Sequence, residues 1–178
     1  MFFLYLYIII IKHMISEIKK TYYKAVDLAT KIHDGQLDKG GHPYIKHILS
    51  VADKVYKLVE SKEYANPEKE RFAWVCGTVA ILHDTLEDSK LTIDDLNALF
   101  DKEIVDEVIA LTRCENESYG DYIKRISKST IATYVKYCDL EDNLDVRRLS
   151  KISEQDIGRI NKYLKWYRFL EKTIYDRG

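Results

Sequence analysis

The sequence predicts an all-α, single-domain helical bundle, and three observations carry that prediction. Only seven glycines and two prolines interrupt 178 residues rich in Ile, Leu, Lys and Glu, a composition that favours helices. Apolar side chains recur at three- and four-residue intervals through most segments, the spacing of one helix face. No stretch alternates apolar and polar residues long enough to make a useful strand. The length suits one domain with a real core, and neither an internal repeat nor a low-complexity linker divides it.

The elements follow in order. Phe2 to Ile11 is an unbroken apolar run, shorter than the ~20 residues of a membrane span and without the flanks of a secretory signal. Met14 then opens a clean amphipathic helix, so residues 1–13 read as an apolar extension from a start set too early, ahead of a domain over 14–178. An extra packed segment and a membrane anchor are the alternatives. The helix over Ser16–His33, capped by Ser16, carries Ile18, Tyr22, Ala25, Val26, Ala29 and Ile32 on one face. A glycine-bearing loop from Asp34 to Pro43 follows. Pro43 opens a second helix with Tyr44, Ile45, Ile48, Leu49, Ala52, Val55 and Leu58 inward, and with His47 in its first turns.

Pro67 starts a third helix that runs through Trp74 and Ala80 to a His83-Asp84 pair. Thr92 to Asp95 caps a short helix ending near Phe100. Further helices are expected over Lys102–Leu111, Tyr119–Ile126 and Thr130–Leu149, with a polar break at Glu115–Gly120. Ser153 caps the last one, whose stripe of Ile157, Ile160, Leu164, Tyr167, Leu170 and Ile174 reads as core.

Basic and acidic residues number 28 and 29, with the cations spread along the chain. This argues against a nucleic-acid partner and leaves small anions open. Cys76, Cys114 and Cys138 are odd in number and lack CxxC spacing, as expected of reduced thiols in a cytoplasmic protein. Oligomeric state is not written in the sequence.

The chemistry gathers around residues 81–88. Here an apolar run delivers His83, Asp84, Glu87 and Asp88 within one or two helical turns. Buried carboxylates are costly unless paired or bound to a cation. If the helix continues, His83 and Glu87 share a face, as do Asp84 and Asp88. In the penultimate helix Asp139 and Asn143 share a face at the edge of an apolar stripe, whereas Glu141 and Asp145 fit a solvated one. His47, His83, Asp84 and Asp139 together form a mixed nitrogen and oxygen set, unlike structural zinc or calcium sites. Such a set suits a six-coordinate ion with open positions, Mn²⁺ or Fe²⁺. An ion of this kind acidifies water and offsets phosphoryl charge. Glu87 or Asp88 is placed to handle the proton. Lys39 and the amides at the start of the Pro43 helix are placed to hold phosphate, and Tyr44 to line a pocket. These parts add up to metal-assisted phosphoester or pyrophosphate hydrolysis.

Four stretches then carry a resemblance: Ala29 to Gln36, Lys39 to His47, Leu82 to Asp88 and Val135 to Leu144. They resemble, in order, the motifs of HD-domain hydrolases of the Rel/SpoT type, in particular the small stand-alone (p)ppGpp hydrolases. The resemblance implies an all-α HD-type bundle with His47, His83, Asp84 and Asp139 holding Mn²⁺. It further implies Glu87 and Asp88 as the catalytic acidic pair, with Lys39 and Asn143 at the substrate. The activity so implied is removal of the 3′-pyrophosphate from guanosine tetra- and pentaphosphate, giving GDP or GTP plus pyrophosphate. The partner is therefore a small phosphorylated nucleotide, with no membrane and no nucleic acid. Two positions depart from the pattern. Asp38 stands where the confirmed enzymes typically carry Arg before the loop lysine, and Asp145 where a basic residue tends to follow Asn143. Two added carboxylates are expected to weaken binding of a polyphosphate. That keeps open the same chemistry on an adenine alarmone or nucleoside phosphate, including as an antitoxin, and a non-catalytic nucleotide-sensing module.

Overall fold

The computed structural model describes residues 2–60 and 67–177. Among these residues lie α1 (Phe2–Ile32), α2 (Ile45–Glu60), α3 (Pro67–Leu82), α4 (Ile93–Leu99), α5 (Lys102–Leu111), α6 (Tyr119–Ile126), α7 (Thr130–Asn143), a 3-10 turn (Val146–Arg148) and α8 (Glu154–Tyr175). No strand occurs among the described residues, so the all-α expectation holds.

The bundle is built around α3. Every residue from 75 to 82 is buried, as befits a helix that is apolar on all sides. Val75, Val79, Ile81 and Leu82 are fully buried, and each such side chain contributes about 1.5–3 kcal/mol of burial free energy. Around it pack α1, α2, α5 and α7, while α8 lies against α7. The C-terminal end of α3 therefore opens between α2 and α7, where the predicted ligands sit.

Local signals explain many boundaries. Thr92 and Asp95 form a reciprocal capping box at α4, and Ser153 and Asp156 another at α8. Ser118 and Ser129 cap α6 and α7 through their side chains. Each such cap is worth about 1 kcal/mol.

Five expectations need correction. First, α1 does not begin at Ser16 but runs from Phe2 without a break. No glycine or proline precedes Gly35, whose φ of 73° ends the segment. Second, Leu49 is exposed and Val51 takes its place in the core. Third, α3 ends at Leu82, short of the His-Asp pair, because side chains take its last carbonyls. Thr85 Oγ1 donates to Leu82 O at 2.7 Å, and the His83 ring meets Ala80 O at 2.6 Å. Fourth, α7 ends at Asn143, since Asp145 accepts from Arg147 N at 3.1 Å and starts a separate 3-10 turn. Fifth, the α8 stripe is core only in part: Ile157 is 52% and Leu164 44% exposed. Tyr167 and Leu170 pack as expected, joined by Tyr163 and Trp166. Among the described residues no helix is long and apolar enough to cross a membrane.

Candidate metal centre

Three helix ends bring the predicted ligands together. His47 comes from the first turn of α2, Asp139 from the last turn of α7, and His83 and Asp84 from the turn that follows α3. His47, His83 and Asp139 are buried, and each offers a donor atom within 4.8 Å of the others. His47 Nε2 lies 3.2 Å from Asp139 Oδ1 and 3.9 Å from Asp84 Oδ2. His83 Nε2 lies 3.1 Å from Asp84 Oδ2 and 3.8 Å from Asp139 Oδ1.

The two imidazoles are oriented alike. His47 Nδ1 faces Asp142 Oδ2 at 2.7 Å, and His83 Nδ1 faces the Ala80 carbonyl at 2.6 Å. In each ring Nδ1–H donates outward and the Nε2 lone pair is left for the corner, the arrangement metal-bound histidines require. His83 Nε2 is buried without a hydrogen-bond partner. Such an orphan needs an explanation, and a cation between the rings and carboxylates supplies one. The donor set fits a divalent metal. Without a metal, burial pushes both histidine pKa values down, but Asp84, Asp139 and Asp142 outweigh it and raise them. A divalent cation thus takes the place of protons.

The other predicted residues distribute unevenly. Tyr44 donates its hydroxyl to Asp84 Oδ2 at 2.6 Å, and burial together with that carboxylate pushes its pKa far up. Asn143 Nδ2 donates to Asp139 Oδ1 at 2.7 Å. Both therefore steady candidate ligands as well as lining the adjoining pocket. Asp88 feels burial first and then Asp84, which raise its pKa, so it faces the corner electrostatically. Glu87 does not share a helix face with His83, since α3 has ended; it is exposed and accepts from Arg113 N at 2.6 Å. Lys39 is exposed at the rim of the pocket.

That pocket, about 260 Å³, joins the corner at His47 and is walled by the glycine loop, by Asn143 and Arg148, and by Arg159 and Tyr163 of α8. Neither unexpected acid opposes an anion there. Asp38 Oδ1 accepts from Gly40 N and His42 N, both at 2.8 Å, and Oδ2 meets Arg148 Nη1 at 3.1 Å. Asp145 is held by Arg147 through its side chain and amide, and its pKa falls to about 2. Both added carboxylates are thus paired with arginines of the protein itself.

Sequence reasoning missed four groups. Lys136 is a buried cation whose ammonium sits 2.7 Å from Asp139 Oδ2; its three-residue offset from Asp139 was a readable helix-pair signal. Asp142, at the same offset on the far side, supports His47. Arg148 and Arg159 reach the pocket through loop and helix placement that no local pattern encodes.

An all-helical bundle carrying buried histidine and aspartate donors at three helix ends defines the class: an HD-type domain with a candidate divalent-metal corner. No family model matches the chain, but individual proteins do. A probable guanosine-3′,5′-bis(diphosphate) 3′-pyrophosphohydrolase of Mycoplasma pneumoniae is 37% identical over 95 residues, covering 53% of this chain and 11% of that protein. The protein of that activity from Aquifex aeolicus is 29% identical over 145 residues, covering 78% of this chain and 19% of its own. A GTP pyrophosphokinase of Myxococcus xanthus is 29% identical over 151 residues, covering 77% and 18%. The chain thus spans about a tenth to a fifth of the length of these relatives. A solved structure of a metazoan SpoT ortholog that hydrolyses ppGpp superposes with a TM-score of 0.65 at 20% identity, covering 86% of this chain and 85% of that one. It shares the fold. The chain is thus similar, over half to four fifths of its length, to parts of proteins named for making or hydrolysing guanosine alarmones.

Proposed function

We propose that the chain is a Mn²⁺-dependent phosphohydrolase acting in the cytoplasm on guanosine alarmones, releasing the 3′-pyrophosphate of (p)ppGpp to leave GDP or GTP. The observation that supports this most is the pair of imidazoles turning Nε2 into a buried corner with Asp84 and Asp139, beside a pocket with cationic walls. His47, His83, Asp84 and Asp139 hold the ion, which when bound supplies Lewis acidity and an acidified water. Lys39 and Arg159 hold the nucleotide's phosphates at the pocket, and Asn143 and Tyr44 keep the ligand carboxylates aimed. Asp88, with its raised pKa, takes the proton from the attacking water. Glu87, tied to Arg113 N, fixes the turn that presents Asp88. The relatives named for 3′-pyrophosphohydrolase activity support this substrate class.

A second reading has the same chemistry on an adenine alarmone or another nucleoside phosphate. Its support is Asp38, which is turned into its own loop and offers the base no guanidinium. Incubating the protein with Mn²⁺ and a panel of 3′-pyrophosphorylated and ordinary nucleotides tests both. Pyrophosphate release from ppGpp but not from GDP is the expected outcome. Release only from adenine analogues supports the second reading. Inactivity on every nucleotide with metal bound rejects hydrolysis.

A further inference from the structure

The glycine loop and the metal corner are joined by a continuous polar chain that runs Asp38, Arg148, Asp142, His47. Asp38 Oδ2 meets Arg148 Nη1 at 3.1 Å. Arg148 in turn lies on Asp142, with Nη2 donating to its carbonyl at 2.9 Å and Nη1 at 3.5 Å from Oδ2. Asp142 Oδ2 then accepts from His47 Nδ1 at 2.7 Å, while Oδ1 accepts from Ser50 at 2.5 Å. The loop also touches the 3-10 turn by backbone: a Cβ on Gly40 would run into the Arg148 carbonyl oxygen. No other side chain could let the loop lie so close.

We propose that Asp142 and Arg148 are positioning residues that couple the substrate loop to the metal ligand His47, so that filling the corner with a cation also stiffens residues 37–43. The inference rests on the metal reading above and deepens it. Asp142 fixes which His47 nitrogen faces the corner. Arg148, bridging two carboxylates, carries that order across to the loop. Coupling of this kind is reciprocal by thermodynamic necessity. A loop closed on a phosphorylated nucleotide therefore tightens the metal as much as the metal tightens the loop.

The test uses Mn²⁺ alone, with no nucleotide and no turnover. Metal affinity is measured by calorimetry, and amide hydrogen exchange is followed over residues 37–43. In the native chain, Mn²⁺ is expected to slow exchange of that segment. Asp142→Leu is expected to weaken Mn²⁺ by about 10- to 100-fold, the usual effect of losing such a partner. Asp142→Asn, which still offers His47 an acceptor, recovers most of that affinity. Arg148→Met and Arg148→Lys are expected to weaken Mn²⁺ binding less than Asp142→Leu does, with loop exchange indifferent to metal. If the native chain binds Mn²⁺ and its loop exchange does not change, the coupling is overturned and the metal site stands. Retained metal-dependent protection in both Arg148 variants overturns Arg148 as the link. Failure of the native chain to bind metal overturns the site and this inference together.

Discussion

Two regions face each other across one pocket, and they are held by different forces. The corner of His47, His83 and Asp139 is set by side chains on three buried helix ends, so its geometry is fixed by the same packing that fixes the core. The glycine loop and, away from the pocket, the polar strip of Glu87, Arg113, Glu117 and Arg125 are held by carboxylates on backbone amides and by ion pairs near the surface. On the proposed reading, chemistry rests on the core and ligand selection on contacts that can be exchanged without repacking it. Asp38 belongs to the second group: its charge is held by its own loop and by Arg148.

The sharpest way to break this contrast is on the core side. Asp139→Ala is expected to abolish metal binding. It should also cost about 3–5 kcal/mol of stability, because Lys136 is left buried without its partner; chemical denaturation and metal titration check both. Next comes Asp88→Asn, which should bind Mn²⁺ normally and lower turnover by about 10²–10⁴-fold, the range of general acid–base catalysis, followed by Glu87→Ala, which acts through Asp88 and should lower turnover less. Native turnover in either one removes it from the role assigned here. On the loop side the effect is smaller. Asp38→Arg supplies the cation that confirmed enzymes carry, yet it removes the acceptor of two amides and sets a charge against Arg148. It should raise KM and leave metal affinity intact. A lowered KM would show that the loop tolerates the change.

The acid response of the strip is weaker still. Hydrogen bonds from Arg125 come first among the causes that hold the Glu117 pKa at about 2, against an ordinary value of 4.5. A depressed carboxylate contributes stability above its unfolded pKa and loses it as pH falls through the folded one. Native protein should therefore exceed Glu117→Gln in melting temperature at neutral pH, with the gap closing between pH 4.5 and about 2. The smallest change is expected from deleting residues 1–13. Tyr5, Leu6, Tyr7, Ile9 and Ile10 are exposed on α1, whose first buried side chain among those described is Ile18. The melting temperature of a chain starting at Met14 should match that of the full one.

The same contrast explains what could be read from the sequence. Periodicity located α5 and α6 to the residue, and the Thr92 and Ser153 caps announced α4 and α8, because these signals are local. His47, His83, Asp84 and Asp139 were legible because histidine and aspartate beside apolar runs demand a reason. The end of α3 was not legible, since it depends on Thr85 and His83 taking carbonyls that would otherwise continue the helix. Nor was the role of Asp38, whose partner lies 110 positions away. Long-range ion pairs leave no periodic trace.

Lys136 carries a last consequence. Its ammonium, buried against Asp139 and 5.4 Å from the centre of the Tyr122 ring, is an internal counter-ion that stays when no metal is present. It offsets part of the charge of Asp139 and Asp84 from within the protein, so compensation of the corner's carboxylates does not rest on a bound ion alone.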